Sequence, residues 1–241
     1  MLKYRYESMF PYHLREVLEK NPIVYLPVSP LEWHGEHLIF GTDPFRARKL
    51  LELVWERLGG VLMPTLYVGT DSTLVEDGEE FWGMEMFAKE RIPGSIFVRK
   101  ETFYNLLKDI LNFLERTGFK LCILCTGHMA KPQIEVVERL EEEHKERNMR
   151  VLSWHWGKVN YPKELMTPNP LHAGVEESSE ILSIDLSYVD LDRIGSMEVD
   201  RKVSLLKENL KGISETLGIK RFNFEVEELI KEIMKCYTKN S

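Results

Sequence analysis

The order of segments in this chain predicts an α/β fold: a three-layer α/β/α sandwich with a mostly parallel central sheet, in a single domain. Three observations carry that prediction. Short, continuously apolar runs such as Ile23-Val24-Tyr25-Leu26 and Leu121-Cys122-Ile123-Leu124-Cys125 have the length and composition of strands buried on both faces. Between them lie longer stretches whose apolar residues recur every three or four positions, as helices covering such a sheet require. The bulk agrees, because 241 residues with 43% hydrophobic and 29% charged content suit one ordinary core, and no repeat or linker divides 1–241.

Taken in order, residues 11–20 read as a short amphipathic helix leading into a strand over 23–28. Pro44 opens a helix that Leu50, Leu51, Val54 and Leu58 continue, and Gly59-Gly60 ends it. Residues 61–63 form a second strand, closed by Pro64. The stretch 65–93 is aromatic, punctuated by glycine and without a clean period, as lids and contact loops often are. Phe103, Leu106, Leu107, Ile110, Leu111 and Leu114 share one stripe of a helix over 101–117 that stops at Gly118. After the strand at 121–125, Pro132 opens a helix to residue 147 whose EEEHKER face is a solvated charge run. A strand over 151–156 ends in Trp154-His155-Trp156. A proline-rich turn over 161–170 then leads to a helix beginning at Glu176-Glu177, and 225–237 closes the chain as an amphipathic helix. Cys122 and Cys125 are three apart in a strand, point to opposite faces and read as core rather than as a redox or zinc pair.

Composition narrows the partners. A net charge of −7 with no basic tract argues against nucleic acid. No apolar run approaches the ~18 residues of a membrane span, and the first ten residues lack the apolar heart of a signal peptide. Three cysteines suit a reducing compartment, so the cytoplasm is the expected location.

The densest chemistry lies in 27–43, PVSPLEWHGEHLIFGTD, where Glu32, His34, Glu36, His37 and Asp43 follow the first strand. Open α/β sheets bind ligands at the C-terminal edge of their strands. Carboxylates and imidazoles without a thiolate suit zinc, manganese or iron, although a solvated polar loop fits the same letters. Glu32 and His34 are two apart, so in extended backbone both leave one face. His128 follows the strand at 121–125, and the strand at 151–156 leads toward His172 and Glu177. Parallel strands share one C-terminal edge, so these clusters should meet on a single rim that holds five of the seven histidines: His34, His37, His128, His155 and His172.

Glu32-Trp33-His34-Gly35-Glu36-His37-Leu38, closing at Gly41-Thr42-Asp43, resembles the first motif of the creatininase (creatinine amidohydrolase) family. Thr126-Gly127-His128 is similar to that family's Asn-Gly-His, Ile92-Pro93-Gly94-Ser95 to its Phe-Pro-Gly-Thr, and His172-Ala173-Gly174-Val175-Glu176-Glu177-Ser178-Ser179 to its later His-Ala/Gly-Gly-x-x-Glu motif. The resemblance implies a metal-dependent amidohydrolase that cleaves a C–N bond of a small amide, cyclic amide or formamide with water activated by two divalent ions (zinc, manganese or iron) per subunit. It assigns Glu32 and His128 to one ion, His34 and Glu177 to the other, and Asp43 as the bridge. His172 becomes the general acid to the leaving nitrogen and Glu177 its catalytic neighbour. Trp154, His155, Trp156 and Glu36 become substrate contacts, and His37 a support behind the ligands. Two departures matter. Ala130 stands where creatininases proper carry a glutamate, which moves that role to Glu177. Thr126 replaces asparagine, which makes creatinine itself an unexpected substrate. A family peptidase or deformylase with the same site, or a member that binds metal or ligand without catalysis, is the alternative. Family members are often oligomeric, so a homo-oligomer acting on a small-molecule amide is expected.

Overall fold

In the computed structural model, which describes residues 2–167 and 170–238, the strands are β1 (Lys3–Arg5), β2 (Ile23–Pro27), β3 (Gly60–Leu62), β4 (Thr73–Glu76), β5 (Glu79–Trp82), β6 (Leu121–Cys125) and β7 (Arg150–Trp154). Five of them form one sheet in the order β1-β3-β2-β6-β7, and every pairing in it is parallel. The helices are α1 (Pro11–Lys20), α2 (Thr42–Leu58), α3 (Met84–Ala88), α4 (Lys100–Thr117), α5 (Lys131–Glu143), α6 (Val175–Ile184), α7 (Glu198–Lys202) and α8 (Glu215–Thr238).

Two cores sandwich the sheet, and the period of two along each strand divides residues between them. Val24, Leu26, Cys122 and Leu124 pack against Val17 of α1, Phe103, Leu107 and Leu111 of α4, and Val136, Val137 and Leu140 of α5. Ile23, Tyr25, Ile123 and Cys125 face Leu50, Leu51 and Val54 of α2 and Val226, Leu229 and Ile233 of α8. The two cysteines of the C-x-x-C thus lie on opposite faces, and burial pushes both thiols far up from their ordinary value. A third apolar cluster, including Trp33, Leu38, Ala173, Val175, Ile181 and Leu205, sits under the 28–41 loop and fixes it to α6.

The structure adds elements that the letters did not suggest. β1 is a three-residue edge strand carrying Lys3 and Arg5, charges that blunt an exposed edge. Residues 65–93 contain the antiparallel hairpin β4–β5, turned at Asp77-Gly78 with both residues at positive φ, and the short α3. α8 begins at Glu215, ten residues before the sequence suggests, and α5 ends at Glu143. Pro168 and Asn169 of the expected proline-rich turn lie outside the described residues. Among those residues, no helix is long and apolar enough to cross a membrane.

Candidate metal centre

β2 and β6 are neighbours at the centre of the sheet, and the chain winds outward from them in opposite directions. The crevice beyond their C-terminal ends is therefore the topological switch point, where open α/β sheets bind ligands. The loop after β2 carries Glu32 and His34 into it. Backbone bonds hold that loop: Glu32 N–H donates to the Phe40 carbonyl at 3.0 Å and Ile96 N–H to the Leu31 carbonyl at 2.8 Å. Asp43 lies in the first turn of α2, and Glu177 in the first turn of α6.

His128 follows β6 through Gly127, where a Cβ would lie 2.2 Å from the Asp43 carbonyl oxygen. Only glycine lets these two backbones approach so closely. The Thr126 hydroxyl shapes the same turn, accepting from His128 N–H at 3.1 Å and from Gln133 Nε2 at 2.9 Å. The residue that departs from the family pattern is thus a buried organiser of the turn.

These elements bring Glu32, His34, Asp43, His128 and Glu177 together, each between 1% and 8% exposed. His128 Nδ1 lies 2.9 Å from both Asp43 Oδ2 and Glu32 Oε2. Its single proton serves one of them, and Glu32 Oε2 is left without a formed hydrogen bond. His34 Nε2 is 3.4 Å from Asp43 Oδ1 and 3.8 Å from Glu177 Oε2, and it too lacks a hydrogen-bond partner. Ligand atoms of Glu32, Asp43 and His128 lie within 4.8 Å of one another, and so do those of His34, Asp43 and Glu177. Asp43 belongs to both of these trios; a third group with the same spacing, Glu32, His34 and His172, does not include it.

The electrostatics follow from burial set against this crowding. Burial would lower the His34 imidazole, but Asp43, Glu177 and Glu32 outweigh it and hold it up at about 9. His128 is likewise raised well above its ordinary value, against burial, by Glu32, Asp43 and Asp71. Burial opposes ionisation of Glu32 and Asp43, yet the surrounding histidines keep both below the usual carboxylate range. Carboxylates and imidazoles aimed at each other, with buried atoms left unpartnered, are the donor set that a divalent cation satisfies. The residues fit a metal.

The remaining expected site residues divide. His172 is half-buried, its ring centroid 4.2 Å from that of His34, with Nε2 donating to the Trp33 carbonyl at 2.9 Å. Trp156 lines the cavity above the cluster. Trp154 instead lies in the core on the α2–α8 side, and His155 is turned toward Glu138 of α5, with Nε2 at 3.3 Å. Glu36 is exposed, takes the Trp33 indole N–H at 3.5 Å and does not line that cavity. His37 is buried behind the cluster beside Ser178, 3.1 Å from Nε2, and burial lowers it to about 4.

Two residues near the candidate ligands escape sequence reasoning. Asp71, from the irregular segment before β4, places Oδ2 3.3 Å from His128 Nε2, the carboxylate–histidine arrangement that orients a ligand. Arg46, one turn after Asp43, lies 3.0 Å from Glu177 Oε1 through Nη1 and 2.5 Å from Glu180 Oε2 through Nε. That leaves Glu177 Oε2, which accepts the Ala173 N–H at 2.7 Å, as the oxygen facing His34. The signal for Arg46 was an arginine on the same face as Ala47, Leu50 and Leu51, where a cation needs a buried partner.

Comparison with known proteins agrees with this geometry. The creatininase family model, described as creatinine amidohydrolase, matches residues 8–219. A creatinine amidohydrolase from Pseudomonas putida is 26% identical over 187 residues, covering 71% of this chain and 68% of that protein. A manganese form of creatininase superposes with a TM-score of 0.73 at 20% identity, over 97% of this chain and 98% of that one. A point mutant of creatininase, of Zn-Zn type, superposes with a TM-score of 0.71 at 21% identity, over 96% and 97% respectively.

Proposed function

The chain belongs to the creatininase family and is a hydrolase of carbon–nitrogen bonds other than peptide bonds; from that premise we propose a metal-dependent amidohydrolase of a small amide, cyclic amide or formamide, with two divalent ions per subunit. The observation that carries the two-ion reading is that Asp43 is common to both trios, so one carboxylate is available to a pair of ions. Glu32 and His128 would complete one site, His34 and Glu177 the other. The manganese and zinc forms of the structural relatives support either metal here. When bound, such a pair supplies Lewis acidity, lowering the pKa of water and polarising the carbonyl.

This chain's own residues supply the rest. The Trp33 carbonyl only accepts, so His172 Nε2 carries a proton and Nδ1 is the nitrogen free to exchange one with the departing amine. Asp71 and the Thr126-centred turn hold His128 in place, and Arg46 aims Glu177. Ala130 begins the turn into α5 and offers no ligand, which leaves that role to Glu177. A member that binds metal or ligand without catalysis is the weaker reading, because the family model and the creatinine amidohydrolase relative both point to a hydrolase. We further propose the cytoplasm as its location and a homo-oligomeric state.

Elemental analysis of purified protein, followed by assay of lactams, hydantoins and formamides with each metal restored, tests the reading. D43A should lose both ions together and activity with them. Retention of one full equivalent in D43A would mean that Asp43 does not bridge.

A further inference from the structure

The cavity over the cluster has a volume of about 390 Å³, room for roughly a dozen waters at ~30 Å³ each. Its floor is the ligand set, and its walls are of another character. Met84, Met86 and Phe87 come from α3, Met129 follows His128, Trp156 follows β7, and Leu171 precedes His172. Apart from the floor, Asp71 and His172, the polar side-chain groups on the lining are Ser72, the Trp156 indole N–H and Lys131, a solvated rim residue whose amine lies 3.8 Å from Glu135. A compact ring edged with N–H groups would find few partners above the cluster and leave the apolar wall wet. Three thioethers and two aromatic rings gain free energy when an apolar group displaces that water, and unbranched methionines adapt to its shape. Both α3 and the Met129 turn belong to segments where the letters depart from the family pattern or show no period.

We propose that the substrate is an amide bearing an extended aliphatic or aromatic substituent, which this wall grips while the cluster holds the scissile carbonyl. The inference rests on the hydrolase reading above. Metal-chelating hydroxamates test it by binding alone, measured by calorimetry on the metal-loaded protein. One series varies the acyl chain from acetyl to hexanoyl and benzoyl; a second, of N-alkyl formohydroxamates, varies the nitrogen side. In at least one series Kd should fall about fourfold per methylene, the ~0.8 kcal/mol of a buried CH₂, or roughly 250-fold over the four methylenes from acetyl to hexanoyl. M86K should flatten that dependence. If the head group binds but affinity is level across both series, the apolar-substrate assignment is wrong while the metal site stands. If even acetohydroxamate and N-methylformohydroxamate fail to bind, the hydrolase reading falls and takes the substrate class with it.

Discussion

Arg46 bonds two carboxylates, and their fates differ when it is removed. Glu180 keeps a second cation, since Arg221 Nε lies 2.5 Å from its Oε1. Among the described residues Glu177 has no other cation in an ion pair apart from the protonated His34, so R46M leaves an uncompensated charge on the cluster side. Removing one partner of a buried pair costs about 3–5 kcal/mol, and that loss should appear in thermal unfolding of the chelated protein. A bound divalent ion would take over the compensation of Glu177 and Asp43. The rise in Tm on adding saturating manganese should therefore be larger in R46M than in the parent; an equal rise would show that Arg46 and the ion do not share these carboxylates. At this scale the polar clusters at the strand ends were legible because strand ends and the Glu-x-His spacing are local features, whereas the choice of Glu32, His34, Asp43, His128 and Glu177 as ligand candidates came from the family resemblance. Asp71 and Arg46 were hidden. One lies in a stretch without period and the other inside a helical stripe, and each gains meaning only from a residue more than fifty positions away.

The pairing of α6 with α8 shows why element boundaries were harder to read than element identity. A Cβ at Gly218 would stand 2.0 Å from the Ser179 carbonyl oxygen, so the first turns of α8 press against α6 where only glycine fits. The amphipathic stripe read from the sequence begins only at residue 225, whereas the helix starts at Glu215 with Gly218 inside its first turns. The Asp77-Gly78 turn was a fairer target, since Asp-Gly between short strands is a standard hairpin signal. α8 also carries Glu225 into the interior beside Glu180, where it accepts a hydrogen bond from the Tyr161 hydroxyl. Burial and Glu180 raise its carboxyl to about 7, against the opposing pull of Tyr161, Arg46 and Arg221. A folded-state value above the unfolded one means that the folded chain binds the extra proton. Glu225 therefore supports stability below about pH 4.5, and that support is lost as pH rises through about 7. E225Q keeps an acceptor for Tyr161 and removes the charge. Its stability relative to the parent, from urea unfolding, should rise by on the order of 2–3 kcal/mol between pH 4.5 and 8. A difference that stays level across this range would mean that Glu225 titrates normally.

Strand order belongs to the whole molecule, and no local pattern encodes it. Buried apolar runs announced parallel strands, and shared edges followed from that. The adjacency of β2 and β6, which puts Glu32 and His128 on either side of one crevice, is fixed by how the helices close over both faces. The outer surface carries a further consequence. Val75 on β4 is 66% exposed and Ile96 59%, with Tyr67 and Leu74 also open to solvent. All four come from residues 67–96 around the hairpin, and we propose that exposed apolar groups of this segment contribute to the subunit contact. Light scattering should give a mass that is a multiple of the 28.3 kDa chain, and V75E combined with I96E should lower it; a 28.3 kDa species at micromolar concentration would refute the assembly. The ligand trios are drawn from a single chain. The dissociated V75E/I96E protein should therefore hold the same metal content per chain as the parent, whereas ions lost on dissociation would mean that a neighbouring subunit completes the site.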